Sequence, residues 1–290
     1  MHKYLRSIGF SHLESFRMLE EVLQHVEQNY DQKKTVEKAD GGIFAELSKD
    51  FGYDCGISVC GEYDAQGDFH REYYFPYYRG QQGFASRDLV LERHIDKESY
   101  AGAYDDFNIG ITLIFFLNNP AEYLRIMKNP VGRELPRTLA FSALSDKGKI
   151  LLPIYSDVKE RERMKKNSEK RGSLVTKAQS GDPEAIESLT MEDIDLFTVL
   201  SRRVQTEDIY SIISSTFMPC GVECDQYSII GEITELNITR NRRTDERLYQ
   251  MKVVSNDIPV DVCINERDLL GIPEVGRRFK GKIWLQGLVE

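Results

Sequence analysis

Arg277-Arg278-Phe279-Lys280-Gly281-Lys282-Ile283-Trp284-Leu285-Gln286-Gly287-Leu288-Val289 is the stretch that decides the fold. Phe279, Ile283 and Leu285 alternate with Arg278, Lys280, Lys282 and Trp284. A period of two marks a β-strand with one apolar face. Pro273 and Gly276 lead into it, and Gly281 and Gly287 are points where it can bend. Upstream, 227–238, 247–255 and 258–264 are strand-like, with Asn256-Asp257 as a tight turn and Asn265 capping a short helix that ends before Gly271. Three strands, a short helix and a further strand is the order of an OB-like barrel, and an SH3-like barrel fits nearly as well. Residues 219–290 are therefore predicted to form a small C-terminal β barrel filled by Phe279, Ile283 and Leu285.

Residues 1–155 have a different rhythm. Ser11-x-x-Glu14 is a capping box, and Phe16, Leu19, Val22, Leu23 and Val26 recur at helical spacing. This predicts an amphipathic helix over 11–30, with 31–40 as a loop. Ile43, Ala45 and Leu47 then alternate with polar residues as a half-buried strand does, and Ile57 and Val59 belong to the next strand. Asp64-Ala65-Gln66-Gly67 is turn chemistry before an aromatic return strand over 69–78. Residues 80–104 suggest long loops, 107–117 a buried strand, and Asn119-Pro120 the start of a short helix. Ser145-Asp146-Lys147-Gly148 predicts a second hairpin between 138–143 and 149–155. Both hairpins end in Pro and Tyr, a hint of internal duplication.

The charge shifts in the middle of the chain. Residues 156–180 hold eight basic and four acidic side chains, net +4, and 181–220 hold two basic and eight acidic ones, net −6. Asp182-Pro183, Thr190 and Thr206 each look like the start of a helix, making 156–218 a helical segment. The expected class is thus α+β: an N-terminal helix with an antiparallel sheet region, a helical middle segment and the small barrel.

At 290 residues and 41% hydrophobic composition, the chain can bury sizeable cores. A net charge of −9 disfavours binding nucleic acid or an anionic membrane across the whole surface, though not at a local basic site. The most apolar run, 109–117, is far short of the ~20 residues a membrane helix needs. Residues 1–10 lack the apolar run of a secretory signal. Five sparse cysteines fit reduced thiols rather than a disulfide framework. A cytoplasmic location without membrane attachment is expected.

Candidate sites are few. Arg278, Lys280, Lys282 and Trp284 share one face of the final strand, where three cations beside the lone Trp could hold a phosphate backbone and stack a base. Arg240, Arg242 and Arg243, in a loop of the same region, could extend that surface. Acids at Asp257, Asp261, Glu266 and Asp268 favour instead a solvated face whose Trp packs on the neighbouring domain. The basic stretch 159–171 favours a solvated, salt-bridged helix. Tyr73, Tyr74, Phe75, Tyr77 and Tyr78 fit cross-strand packing better than a pocket. Cys220 and Cys224 make only half of a four-ligand zinc site, so no metal and no cofactor is expected. His70, Glu72, His94, Asp105 and Asp106 could supply acid–base groups, but no spacing ties them into one constellation.

Two stretches, Met1-His2-Lys3-Tyr4-Leu5-Arg6-Ser7-Ile8-Gly9-Phe10 and Met218-Pro219-Cys220-Gly221-Val222-Glu223-Cys224-Asp225-Gln226-Tyr227, resemble a bacterial family of about this length, seen mainly in clostridial-type bacteria. It is catalogued as a domain of unknown function, numbered 3881. The resemblance spans the whole chain and implies a bacterial intracellular protein, with no catalytic or binding residues to carry over. The leading functional expectation is a non-enzymatic adaptor that binds a protein partner. The alternatives are single-stranded nucleic-acid binding through the barrel, and an enzyme with its site in the N-terminal region.

Overall fold

The computed structural model describes residues 1–38, 41–81, 83–85, 89–93, 97–106, 111–128, 138–154, 166, 170, 173–175, 177–178, 180–203 and 208–290. A 3-10 turn, Lys3–Ile8, precedes helix α1 (Phe16–Gln28). Strands β1 (Gln32–Glu37), β2 (Ile43–Asp50), β3 (Cys55–Tyr63) and β4 (Phe69–Tyr78) pair antiparallel in that order. After them come β5 (Phe84–Ala85), β6 (Leu89–Arg93), β7 (Tyr100–Asp106), β8 (Ile111–Leu117), α2 (Pro120–Lys128) and β9 (Thr138–Leu151). Helices α3 (Pro183–Arg203) and α4 (Ile209–Ile212) lead to β10 (Thr216–Pro219), β11 (Gln226–Arg240), β12 (Arg247–Ser255), β13 (Ile258–Asn265), β14 (Leu269–Leu270) and β15 (Arg278–Val289). The architecture is mixed α/β and mostly strand.

The second sheet runs β10-β11-β12-β13-β9-β15-β8-β7-β6, and β15 also pairs with β11. That extra pairing closes β11, β12, β13, β9 and β15 into a five-stranded barrel. Phe279, Ile283 and Leu285 fill it as their spacing implies, against Ile233, Val253, Val260 and Val262. Each such side chain contributes about 1.5–3 kcal/mol by leaving water.

One barrel strand comes from residues 138–151 rather than from 219–290. Here the turn expected at 145–148 is instead a β-bulge. Lys282 pairs with Lys147 and Ile283 with Ser145, so Asp146 is the extra residue. The Ser145 hydroxyl donates to the Lys282 carbonyl at 2.7 Å. The chain runs straight on because β15 lies alongside both flanks, from Leu139 to Leu151. Residues 138–151 therefore form one strand and not the expected hairpin, and the hint of duplication goes with it.

Other departures have equally local causes. Ser15, not Ser11, caps α1, accepting from the Met18 amide; the Ser11 hydroxyl donates to Glu246 at 2.7 Å. Thr190 is interior to α3, its hydroxyl returned to the Ile186 carbonyl, so the expected helix break there is absent. Residues 32–37 pair with β2 rather than looping, and 80–104 contain strands. The hairpin at Asp64–Asp68, the turn at Asn256-Asp257, the Asn265 cap and the Pro120 helix start are present as expected.

A second apolar layer packs outside the barrel. Leu144, Leu248, Cys263 and Trp284 point outward from it to meet Tyr4, Leu5 and Ile8 of the N-terminal turn, α1 and the four-stranded sheet. Gly9 follows that turn with φ +93°, and a Cβ there would stand 2.5 Å from Asn241. The backbone approach needs glycine.

Candidate functional site

The face shared by Arg278, Lys280, Lys282 and Trp284 exists, but most of it is covered. Trp284 is 5% exposed, stacked on Tyr4 at 5.5 Å and in contact with His2 and Phe116. Its indole donates to Asp225 at 2.7 Å. Arg278 is 6% exposed and donates to the carbonyls of Leu152, Ile213 and Tyr210. Lys280 binds the Tyr210 hydroxyl. Lys282 is exposed. A base therefore has no open indole to stack on, because the N-terminal turn occupies that face. Arg240, Arg242 and Arg243 lie at the far end of β11 from Gln226, which pairs with Trp284. The two groups of cations do not meet.

The two stretches that carry the family resemblance do meet, around Trp284. Tyr4 comes from the first and Asp225 from the second, and Lys3 donates to Gln226 at 3.0 Å.

The acid–base candidates are dispersed. His70 pairs with Asp64 in the exposed hairpin turn, and Asp105 accepts from Thr112 in the other sheet. Burial, with Glu62 nearby, raises the Glu72 pKa. His94, most of 159–171 and the Asp106 side chain lie outside the described residues. Phe75, Tyr77 and Tyr78 are core residues. Cys55, Cys60 and Cys263 are buried, and Cys220 and Cys224 are free thiols. Among the described residues no cluster of His, Cys, Asp or Glu could hold a metal.

The chemistry gathers elsewhere, in a cleft of about 520 Å³ between the four-stranded sheet, α2 and the end of β15. Glu46 and Ser48 point to the same side of β2, and Ser48 lies directly opposite Ser58 of β3. The two hydroxyls are 2.7 Å apart, and each stands 3.4 Å from the Glu46 carboxylate. The other Glu46 oxygen accepts from the Ala121 amide at 3.3 Å, in the first turn of α2, where the helix dipole favours negative charge. Charge-assisted bonds normally close to about 2.7–2.9 Å, so this 5%-exposed carboxylate is held loosely by every donor. Burial raises its pKa, with Lys34 opposing.

The walls are polar. Arg79 is paired with Asp50 at 2.7 Å and bonded to Tyr77, while Lys34 stands 3.6 Å from Glu122. Asn118 donates to the Tyr78 carbonyl, but its own side-chain oxygen is buried with no partner. The side chain of Asn119 does not cap α2. It brackets the Val289 backbone, donating to its carbonyl at 2.7 Å and accepting from its amide at 3.2 Å.

Sequence reasoning missed this site because Glu46 sits at the polar parity of β2. The available signal was Phe44 at that same parity, a sign that the face is covered.

Glu46→Gln tests this electrostatic account. Folded, Glu46 keeps its proton to higher pH than in the unfolded chain. Its contribution is therefore fully present below the ordinary carboxylate range and is lost as pH rises through its raised value. The variant is expected to be more stable than the parent near pH 8, by about 1–3 kcal/mol, the penalty of an under-bonded buried group. The gap should close toward pH 4. Denaturant titrations across that range measure it, and a variant less stable at alkaline pH would show the carboxylate is well bonded.

No helix among the described residues is long and apolar enough to cross a membrane. No curated protein and no solved structure matches the chain. A family model does match, over residues 5–287, and the protein belongs to the family described as Domain of unknown function, E. rectale Gene description (DUF3881).

Proposed function

We propose that the protein binds a small, donor-rich ligand, headed by an amine or guanidine, in the Glu46 cleft. The observation that carries this reading is the pair of buried acceptors lining one cavity, the loosely bonded Glu46 carboxylate and the partnerless Asn118 oxygen. A buried acceptor without a donor costs about 1–3 kcal/mol, and a ligand N–H recovers it. Binding is favoured over acyl transfer because, among the described residues, no histidine lines the cleft to activate Ser48 or Ser58. A thermal-shift panel of amines, polyols and carboxylates tests it. An amine at 100 times its Kd should stabilise the parent by about 2.7 kcal/mol and leave Glu46→Gln unmoved. Stabilisation by carboxylates alone would sink the reading.

A second reading, a protein-binding adaptor, is favoured by one surface. Leu270, Ile272, Val275 and Leu152 are all exposed. Pairing of β14 with β9 brings Leu270 beside Lys149, at the barrel end where Leu152 leaves. A partner docked there should co-purify in stoichiometric amount and be lost from Leu270→Ser/Ile272→Ser. A partner retained by that variant would count against this surface.

A further inference from the structure

A second cleft, of about 690 Å³, lies between α1, the ends of β1 and β2, and the loop joining β11 to β12. Gln24, His25 and Gln28 of α1 line it together with Lys49, Arg242 and Arg243. Its acids are already engaged. Asp31 faces Lys49 at 3.5 Å and accepts from the Asp50 amide, Asp50 holds Arg79 and Tyr77, and Glu21 pairs with Arg17. Among the described residues neither the Arg242 nor the Arg243 guanidinium has an ion-pair partner.

The loop that carries them is firmly fixed. Asn241 is 1% exposed, donates to the Ile8 carbonyl at 2.7 Å, and accepts from the amides of Arg243 and Thr244. Thr244 donates to the Gly9 carbonyl at 2.6 Å, and the Arg242 amide to the Phe51 carbonyl at 2.6 Å. Two adjacent like charges repel, yet the backbone beneath them is held by five hydrogen bonds to buried groups or neighbouring elements. An anion placed between them would remove that repulsion.

We propose that this cleft binds a small phosphate-bearing molecule, with its phosphate held by Arg242 and Arg243. The planar guanidinium fork matches phosphate oxygens two at a time. Lys49 and the ring of His25 supply further contacts, and Gln24 and Gln28 offer amides to the rest of the ligand. The acids that line it, Glu21, Asp31 and Asp50, suit a small ester rather than a nucleic-acid strand, which needs a continuous basic track. This site is separate from the Glu46 cleft and does not depend on the reading given to it.

Inorganic pyrophosphate is the probe, titrated calorimetrically into the full chain at constant ionic strength. Arg242→Gln and Arg243→Gln should each weaken binding about 10-fold or more, the value of one hydrogen bond to a charged group. Both side chains are exposed, so the fold should survive, and circular dichroism checks that it does. Lys282→Gln, which removes an exposed cation from the outer face of the barrel, should change the affinity less than twofold. Absence of pyrophosphate binding would overturn the proposal. So would an equal loss in Lys282→Gln, which would reduce the effect to net charge. Displacement of the probe by a single-stranded oligonucleotide with a steep salt dependence would overturn it in favour of a nucleic-acid site.

Discussion

Trp284→Ala is expected to lower the unfolding free energy by about 3–5 kcal/mol, the range for truncating a large buried aromatic. The indole fills the seam between barrel and N-terminal turn, between Tyr4, His2 and Phe116. Its loss opens a void and leaves the Asp225 carboxyl, whose pKa burial already raises, without its donor. Trp284→Phe should fall between the two, since it restores apolar volume but not the N–H. Denaturant titration measures the loss. Because Trp284 is the only Trp, wild-type emission should also be blue-shifted and indifferent to single-stranded oligonucleotides. A cost below about 1 kcal/mol would place it with surface substitutions and show that the turn is not docked.

Arg278→Met should be nearly as damaging, by about 3 kcal/mol or more, since hydrogen bonds to a charged donor contribute about 1.5–3 kcal/mol each. The guanidinium gathers three carbonyls, Leu152 at 2.9 Å, Ile213 at 2.6 Å and Tyr210 at 2.7 Å. It thereby ties α4 and the end of β9 to the barrel wall. Lys149 and Lys280 add to the clasp, their ammonium groups 4.3 and 4.1 Å from the centre of the Tyr210 ring. Arg278→Lys should not rescue, because one ammonium cannot reproduce a planar fork. Limited proteolysis is the direct readout. Cleavage within 208–215 should accelerate in both variants, and an unchanged digest would mean the segment is held by something else.

The spacing in β15 was legible and its surroundings were not. Steps of two correctly separate Phe279, Ile283 and Leu285 from Arg278, Lys280, Lys282 and Trp284, because side-chain parity is a local property of the strand. Whether the second face meets water depends on the turn Lys3–Ile8 and on α4, about 70 to 280 residues away in the chain. The same limit explains Ser145-Asp146-Lys147-Gly148. Turn-forming residues also build bulges, and only a long partner strand decides between the two. At Glu46 the local pattern gives a solvent-facing position, but Ser58 across the sheet and Ala121 at the start of α2 convert it into a buried one. Elements closed by near neighbours, such as the hairpin at Asp64 and the helix at Pro120, could be placed from sequence alone.

The barrel also has a consequence for how the chain acquires its structure. Strand β15 is synthesised after every strand it joins, yet it pairs with β9, β11 and β8 together. During translation β9 and β11 emerge with open edges and wait for a partner that has not yet been made. Unpaired edges of this kind invite association with other chains, and a ring closed over more than a hundred residues forms slowly, in the range of about milliseconds to seconds for topologies dominated by distant contacts. Productive closure is thus a late event, and the interval before it is when this protein is most exposed to aggregation and most dependent on chaperones.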